Sequence, residues 1–156
     1  MLERLGQYDL AVSRVSAAAA LLEAEYEAAE SEQVEQRYAI ALLNLGRIQL
    51  AQQDPSATVE TLENCFGLLS ARQDNAAKLM RVQAQVGLAL AHAASEQIEE
   101  SLQAFQDALS EADSLMLRDT EKDALKERVS VCLAKTLWSI GGDEAFEMAK
   151  LRLLER

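Results

Sequence analysis

The chain has 156 residues, with 26 acidic against 15 basic side chains, a net charge of −11, and 49% hydrophobic residues against 4% aromatic. An acidic balance of this size argues against a surface that holds nucleic-acid phosphates or an anionic bilayer. The apolar mass is Ala, Leu and Val, which favours helices over strands.

Cys65 and Cys132 form no CxxC, so no disulfide framework is indicated and a reducing compartment is expected. The start lacks a basic-then-apolar leader, and the apolar stretch around Ala17–Leu22 is far too short to span a bilayer. The expected location is the cytoplasm, with the nucleus as an alternative.

Taken in chain order, the turn signals are widely spaced. Gly6 is the first. Gln53-Asp54-Pro55 is the second, where Asp54 caps a helix and Pro55 takes its first position, which needs no N–H. Ser95-Glu96 is the third, and Gly141-Gly142 the fourth. Softer breaks fall at Ser31, Gln73–Asn75 and Arg118–Thr120, with Thr120 and Asp123 spaced as a capping box. The expected helices are about seven: roughly 7–29, 32–52, 55–71, 75–94, 96–113, 121–140 and 143–155. Short connections predict antiparallel neighbours.

The pattern repeats along the chain. After the first three turns a small residue, a larger apolar one and another small one recur at the same spacing: Ala11/Val15/Ala18, Thr58/Leu62/Cys65 and Ser101/Phe105/Ala108. Each trio lies on one helical face. In the helix before each later turn, an apolar–small pair stands at a constant distance from that turn: Leu45-Gly46, Leu88-Ala89 and Leu133-Ala134. Turn to turn, the period is 47, 43 and 45 residues.

These features resemble the tetratricopeptide (TPR) repeat, with leucine–glycine in a first helix, a turn, then alanine and an aromatic in a second. Gln53 and Glu96 stand where that repeat has its turn glycine, and the period exceeds the usual length of about 34 residues. The extra residues are charged and helix-prone. The resemblance therefore implies an all-α, TPR-like solenoid of antiparallel hairpins with extended helices. Residues 1–156 are read as a single repeat segment, a fragment of a longer right-handed array.

Catalytic signatures are sparse, and no catalytic, cofactor or metal residue is assigned. The single histidine, His92, falls in a bulky packing register after Leu88-Ala89, and both cysteines read as small buried hydrophobes. Gly141-Gly142 lacks the Lys-Ser/Thr and the preceding strand of a phosphate loop and reads as a helix stop. The acidic runs 22–36 and 96–113 read as solvated faces. Basic residues fall on the first helices of the hairpins: Arg47, Lys78, Arg81, Arg128 and Lys135. In a TPR solenoid those helices line the concave groove. Arg47 and Lys135 each stand two residues after their leucine, and Trp138 shares the face of Lys135. Arg47, Arg128, Lys135 and Trp138 are the candidate partner-binding residues.

Within TPR proteins, "RLGQYDLA", "RYAIALLNLGRIQLAQQD", "ENCFGLLS" and "VCLAKTLWSIGGDEAFEMAKLRLLE" resemble the TPR scaffold subunits of superkiller (Ski) complexes, fungal type. The resemblance implies a non-enzymatic scaffold that joins an RNA helicase to a WD-repeat propeller. It also implies delivery of mRNA to the cytoplasmic exosome for 3′→5′ decay. No direct nucleic-acid contact, membrane contact or cofactor is expected. The residues leave a second reading open: a TPR clamp in which Arg47, Arg128 and Lys135 hold an acidic C-terminal peptide of a chaperone or other partner. Exposed solenoid ends also allow self-association.

Overall fold

The computed structural model describes the backbone of residues 2–29 and 31–154, and the side chains of residues 6–28, 31–139 and 147. Its described residues form six helices: α1 (Leu2–Ala29), α2 (Glu32–Ala51), α3 (Pro55–Leu69), α4 (Asn75–Ala94), α5 (Ile98–Asp113) and α6 (Asp119–Leu154). Each helix packs on its sequence neighbours. Beyond those, among the described residues, only α2 meets α4 and α4 meets α6. This is the contact pattern of a TPR-like solenoid: α2–α3 and α4–α5 are hairpins, and α2, α4 and α6 lie side by side along one face.

The two hairpin turns have identical chemistry. Gln53 and Glu96 sit in the left-handed region, at φ 62° and 60°. In the first turn, Gln53 N–H donates to Leu50 O and Asp54 N–H to Gln49 O, each at 3.0 Å. In the second, Glu96 N–H donates to Ala93 O at 3.0 Å and Gln97 N–H to His92 O at 2.9 Å. Both are Schellman motifs, which close a helix through a left-handed residue and satisfy its last carbonyls. Glycine takes that conformation without strain, and here glutamine and glutamate take it instead. Ser95 therefore ends α4 rather than starting α5, which begins at Ile98 instead of the expected 96.

The glycine-marked turns behave in the opposite way. Gly6 lies inside α1, and Gly141-Gly142 lies inside α6, so the expected break is absent and the expected seven helices become six. Helix interiors tolerate glycine at about 1 kcal/mol each. A Schellman turn is favoured when the following helix folds back on the one before. The flank "DEAFEMAKLRLL" consists mostly of good helix formers and continues the helix instead.

Capping sets the other starts. Asp54 and Asp74 accept from the N–H groups of Ala57 (3.2 Å) and Ala77 (3.3 Å). At α6, Glu121 reaches back to Arg118 N–H at 3.3 Å, supplying the N3 half of a capping box in place of the expected Asp123.

The repeated trios form the core. Thr58, Leu62 and Cys65 are at most 2% exposed, as are Ser101, Phe105 and Ala108. Thr58 Oγ1 donates to Asp54 O (2.9 Å) and lies 3.4 Å from Gly46 O, while Ser101 Oγ donates to Ala89 O (2.7 Å). A hydroxyl thus stands against the same carbonyl position in both hairpins, as a full hydrogen bond at Ser101 and as a long secondary contact at Thr58, whose single proton goes to Asp54 O. The first trio differs. Ala11 and Val15 are half-buried and Ala18 is exposed; α1 instead buries Ala19. Leu62 is wedged between Gly46 of α2 and Gly87 of α4. A Cβ on either glycine would lie 2.6 or 2.5 Å from a Leu62 methyl group.

Two arginines bind the repeats together. Arg81, 4% exposed, donates to Glu111 on α5 (2.6 Å), to Leu69 O at the end of α3 (2.5 Å) and to Arg72 O in the loop that follows (2.6 Å). Arg72 pairs with Glu32, Glu35 and Asp74, linking the start of α2 to the start of α4. Its guanidinium holds the Asp74 carboxyl below the usual carboxylate range. Asn75 clips the α5–α6 loop, exchanging two 3.0 Å hydrogen bonds with the Met116 backbone.

Candidate interaction groove

The side-by-side arrangement of α2, α4 and α6 creates a groove of about 390 Å³. Its α2 wall carries Leu43, Arg47 and Leu50, and its α6 wall carries Leu125, Arg128 and Val129. Between them α4 presents Gln83, Val86 and Leu90, and Leu62 lies at the floor. The helical period explains this membership. On α2, residues 43, 47 and 50 repeat at four and three; on α4, 83, 86 and 90 do the same at three and four. Each set forms one stripe. Gly46 and Gly87 keep the floor low, since a side chain on either would meet Leu62.

Arg47 and Arg128 are exposed, and among the described residues neither has an ion-pair partner. Among the described residues the groove thus holds two positive charges without an ion-pair partner, one per wall, over an apolar bed. The other candidates lie elsewhere. Lys135 and Trp138 are exposed on α6, with Trp138 at 67%, and neither lines the groove. Arg81, expected among the groove bases, is instead a buried tie between α3, α4 and α5. Lys78 donates to Ser114 O (3.1 Å) in the α5–α6 loop. The Gly46–Leu62–Gly87 contact was not anticipated; a glycine inside the helical pattern "QVGLAL" was its available signal.

Other groups have structural surroundings. His92 is half-buried, with Nδ1 2.9 Å from Gln97 Oε1 across the α4–α5 turn. Burial pushes the Cys65 thiol up to about 12, which suppresses the reactive thiolate. Cys132 is half-buried and raised for the same reason, against smaller opposing effects of Thr136 and Lys135. Among the described residues no three His, Cys, Asp or Glu side chains converge as metal ligands. No described helix is long and apolar enough to cross a membrane.

No family profile matches the chain. No solved structure matches it either. One curated protein does, and the likeness runs from end to end. The chain is similar to Superkiller protein 3 of Schizosaccharomyces pombe. The two are 28% identical over 155 residues, which is 99% of this chain and 10% of that protein. The chain therefore spans about a tenth of its curated relative's length. This distant likeness and the all-helical hairpin stack both point to a helical-repeat protein.

Proposed function

We propose that this chain is a non-enzymatic segment of a helical-repeat scaffold in a superkiller-type assembly, which delivers mRNA to the cytoplasmic exosome for 3′→5′ decay. The observation that carries the proposal is the likeness to Superkiller protein 3, which covers 99% of the chain, so that both hairpins and both flanking helices fall within it. In this reading the partners are an RNA helicase and a WD-repeat propeller. RNA is handled by the helicase, in keeping with a net charge of −11 on this chain. The chain resides in the cytoplasm and supplies shape and surface rather than chemistry.

The test is affinity purification of the tagged parent protein from its own cells. Recovery of a helicase and a propeller subunit is expected; recovery of neither removes the proposal. A second reading, the TPR clamp for an acidic C-terminal peptide, draws on Arg47 and Arg128 sharing one groove. It requires micromolar binding of such a peptide and loss of that binding in Lys135→Glu.

A further inference from the structure

The groove's charges are arranged for a particular kind of occupant. Arg47 stands on α2 and Arg128 on α6; these helices do not touch among the described residues, because α4 lies between them. A single terminal carboxylate needs donors that converge on one point. Two guanidiniums carried on helices that a third helix separates suit two carboxylates spaced along one segment. Between them the surface is apolar, with Val86 and Leu90 on α4 and Leu43 and Leu50 on α2, in a volume fit for a few aliphatic side chains. Gln83 adds one exposed amide on the central helix, able to give and accept a backbone hydrogen bond.

The rest of the molecule sharpens the charge argument. Among the described residues Arg72, Arg81, Arg118 and Lys126 are engaged in ion pairs with the chain's own acids; of the basic side chains without such a pair there, only Arg47 and Arg128 line the groove. In a chain of net charge −11, two arginines that line one apolar groove, with no ion-pair partner among the described residues, make a local site of opposite sign.

We infer that this groove docks an internal segment of a protein partner in which acidic residues flank a short apolar stretch. The acids meet Arg47 and Arg128, and the apolar side chains settle between α2, α4 and α6. This deepens the scaffold reading by naming how a partner is held, and it rests on that reading only in requiring a protein occupant. It differs from the clamp, because the segment needs no free C-terminus and Lys135 takes no part.

The experiment is selection on the purified chain from a library of random dodecapeptides displayed with their C-termini fused to a phage coat protein. The best clones are then synthesised with amidated C-termini and titrated by fluorescence anisotropy. Expected is enrichment of acid–apolar–acid sequences that bind at micromolar Kd. Arg47→Glu and Arg128→Glu should each weaken that binding at least about tenfold. Lys135→Glu, the same charge change outside the groove, should leave it within about twofold. All three sites are exposed, so circular dichroism should be unchanged. The inference is overturned by no enrichment, by enrichment of sequences without acids, or by binding indifferent to both groove arginines. It is equally overturned by binding that requires a free C-terminal carboxylate or falls with Lys135→Glu. Because only peptides and the purified chain are used, any of these results leaves recovery of the assembly unaffected.

Discussion

Gln53 and Glu96 hold left-handed backbone that glycine adopts freely, so Gln53→Gly and Glu96→Gly should stabilise the chain. A residue with a Cβ is disfavoured there by about 1–2 kcal/mol. Glycine gives back about 0.4–1 kcal/mol through its larger unfolded-state entropy. The net gain is about 0.5–1 kcal/mol per site. The sites belong to different hairpins, so the double variant should gain about 1–2 kcal/mol. For a chain of this size, a Tm rise of about 2–4 °C per kcal/mol follows. Gly6→Ala supplies the opposite comparison. Gly6 lies in α1, where a Cβ meets nothing within 4 Å, so alanine should add up to about 1 kcal/mol of helix propensity. Thermal and urea melts followed at 222 nm measure all four variants. A lower Tm in Gln53→Gly or Glu96→Gly would refute the Schellman assignment, and a lower Tm in Gly6→Ala would refute the continuous α1.

Gly46→Ala should destabilise by about 1–3 kcal/mol through overpacking against Leu62, whose Cγ as well as a methyl group would lie within 3 Å of the new Cβ, despite the better helix propensity of alanine. Leu62→Ala should cancel much of that penalty in the double variant, and additive losses in urea melts would contradict the wedge. Arg81→Ala should cost about 3 kcal/mol, because it strands Glu111 and the Leu69 and Arg72 carbonyls; a loss under about 1 kcal/mol in the same assay would contradict the tie. Asp74 titrates below its ordinary value when folded, so its interactions stabilise the chain at neutral pH and are lost as pH falls through the folded pKa. Asp74→Asn should therefore flatten the fall in urea midpoint between about pH 5 and 3, and curves parallel to wild type would contradict the Arg72–Asp74 link.

The hairpin frame was legible because its signals are local and repeated. Asp54-Pro55 announces a helix start, and the trios Thr58/Leu62/Cys65 and Ser101/Phe105/Ala108 announce a buried face. The positions of Gln53 and Glu96 could be read as turns from the register, even though neither residue suggests one. The end turns were misread because glycine marks both turns and tolerated helix interiors. Gly6 and Gly141 keep the spacing, but the helices run through them. The groove was half legible. Placement on the first helices of the hairpins pointed to Arg47 and Arg128, which line it, while the register after the leucine pointed equally to Arg47 and Lys135, and Lys135 and Trp138 lie farther along α6 outside the lining. Arg81 has the composition of a groove base, and only the packing of α4 on α3 and α5 reveals its burial.

The central claim is that this segment works by holding a protein partner against the face formed by α2, α4 and α6. Gln83 lies on that face, and Gln103 is exposed on α5, outside the groove. A photoreactive phenylalanine analogue at either position of the parent protein, crosslinked in its own cells and analysed by mass spectrometry, tests the claim directly. The account predicts adducts from position 83 to an acidic segment of an assembly subunit, and few from position 103. Adducts to RNA from position 83, or protein adducts from position 103 alone, would contradict it.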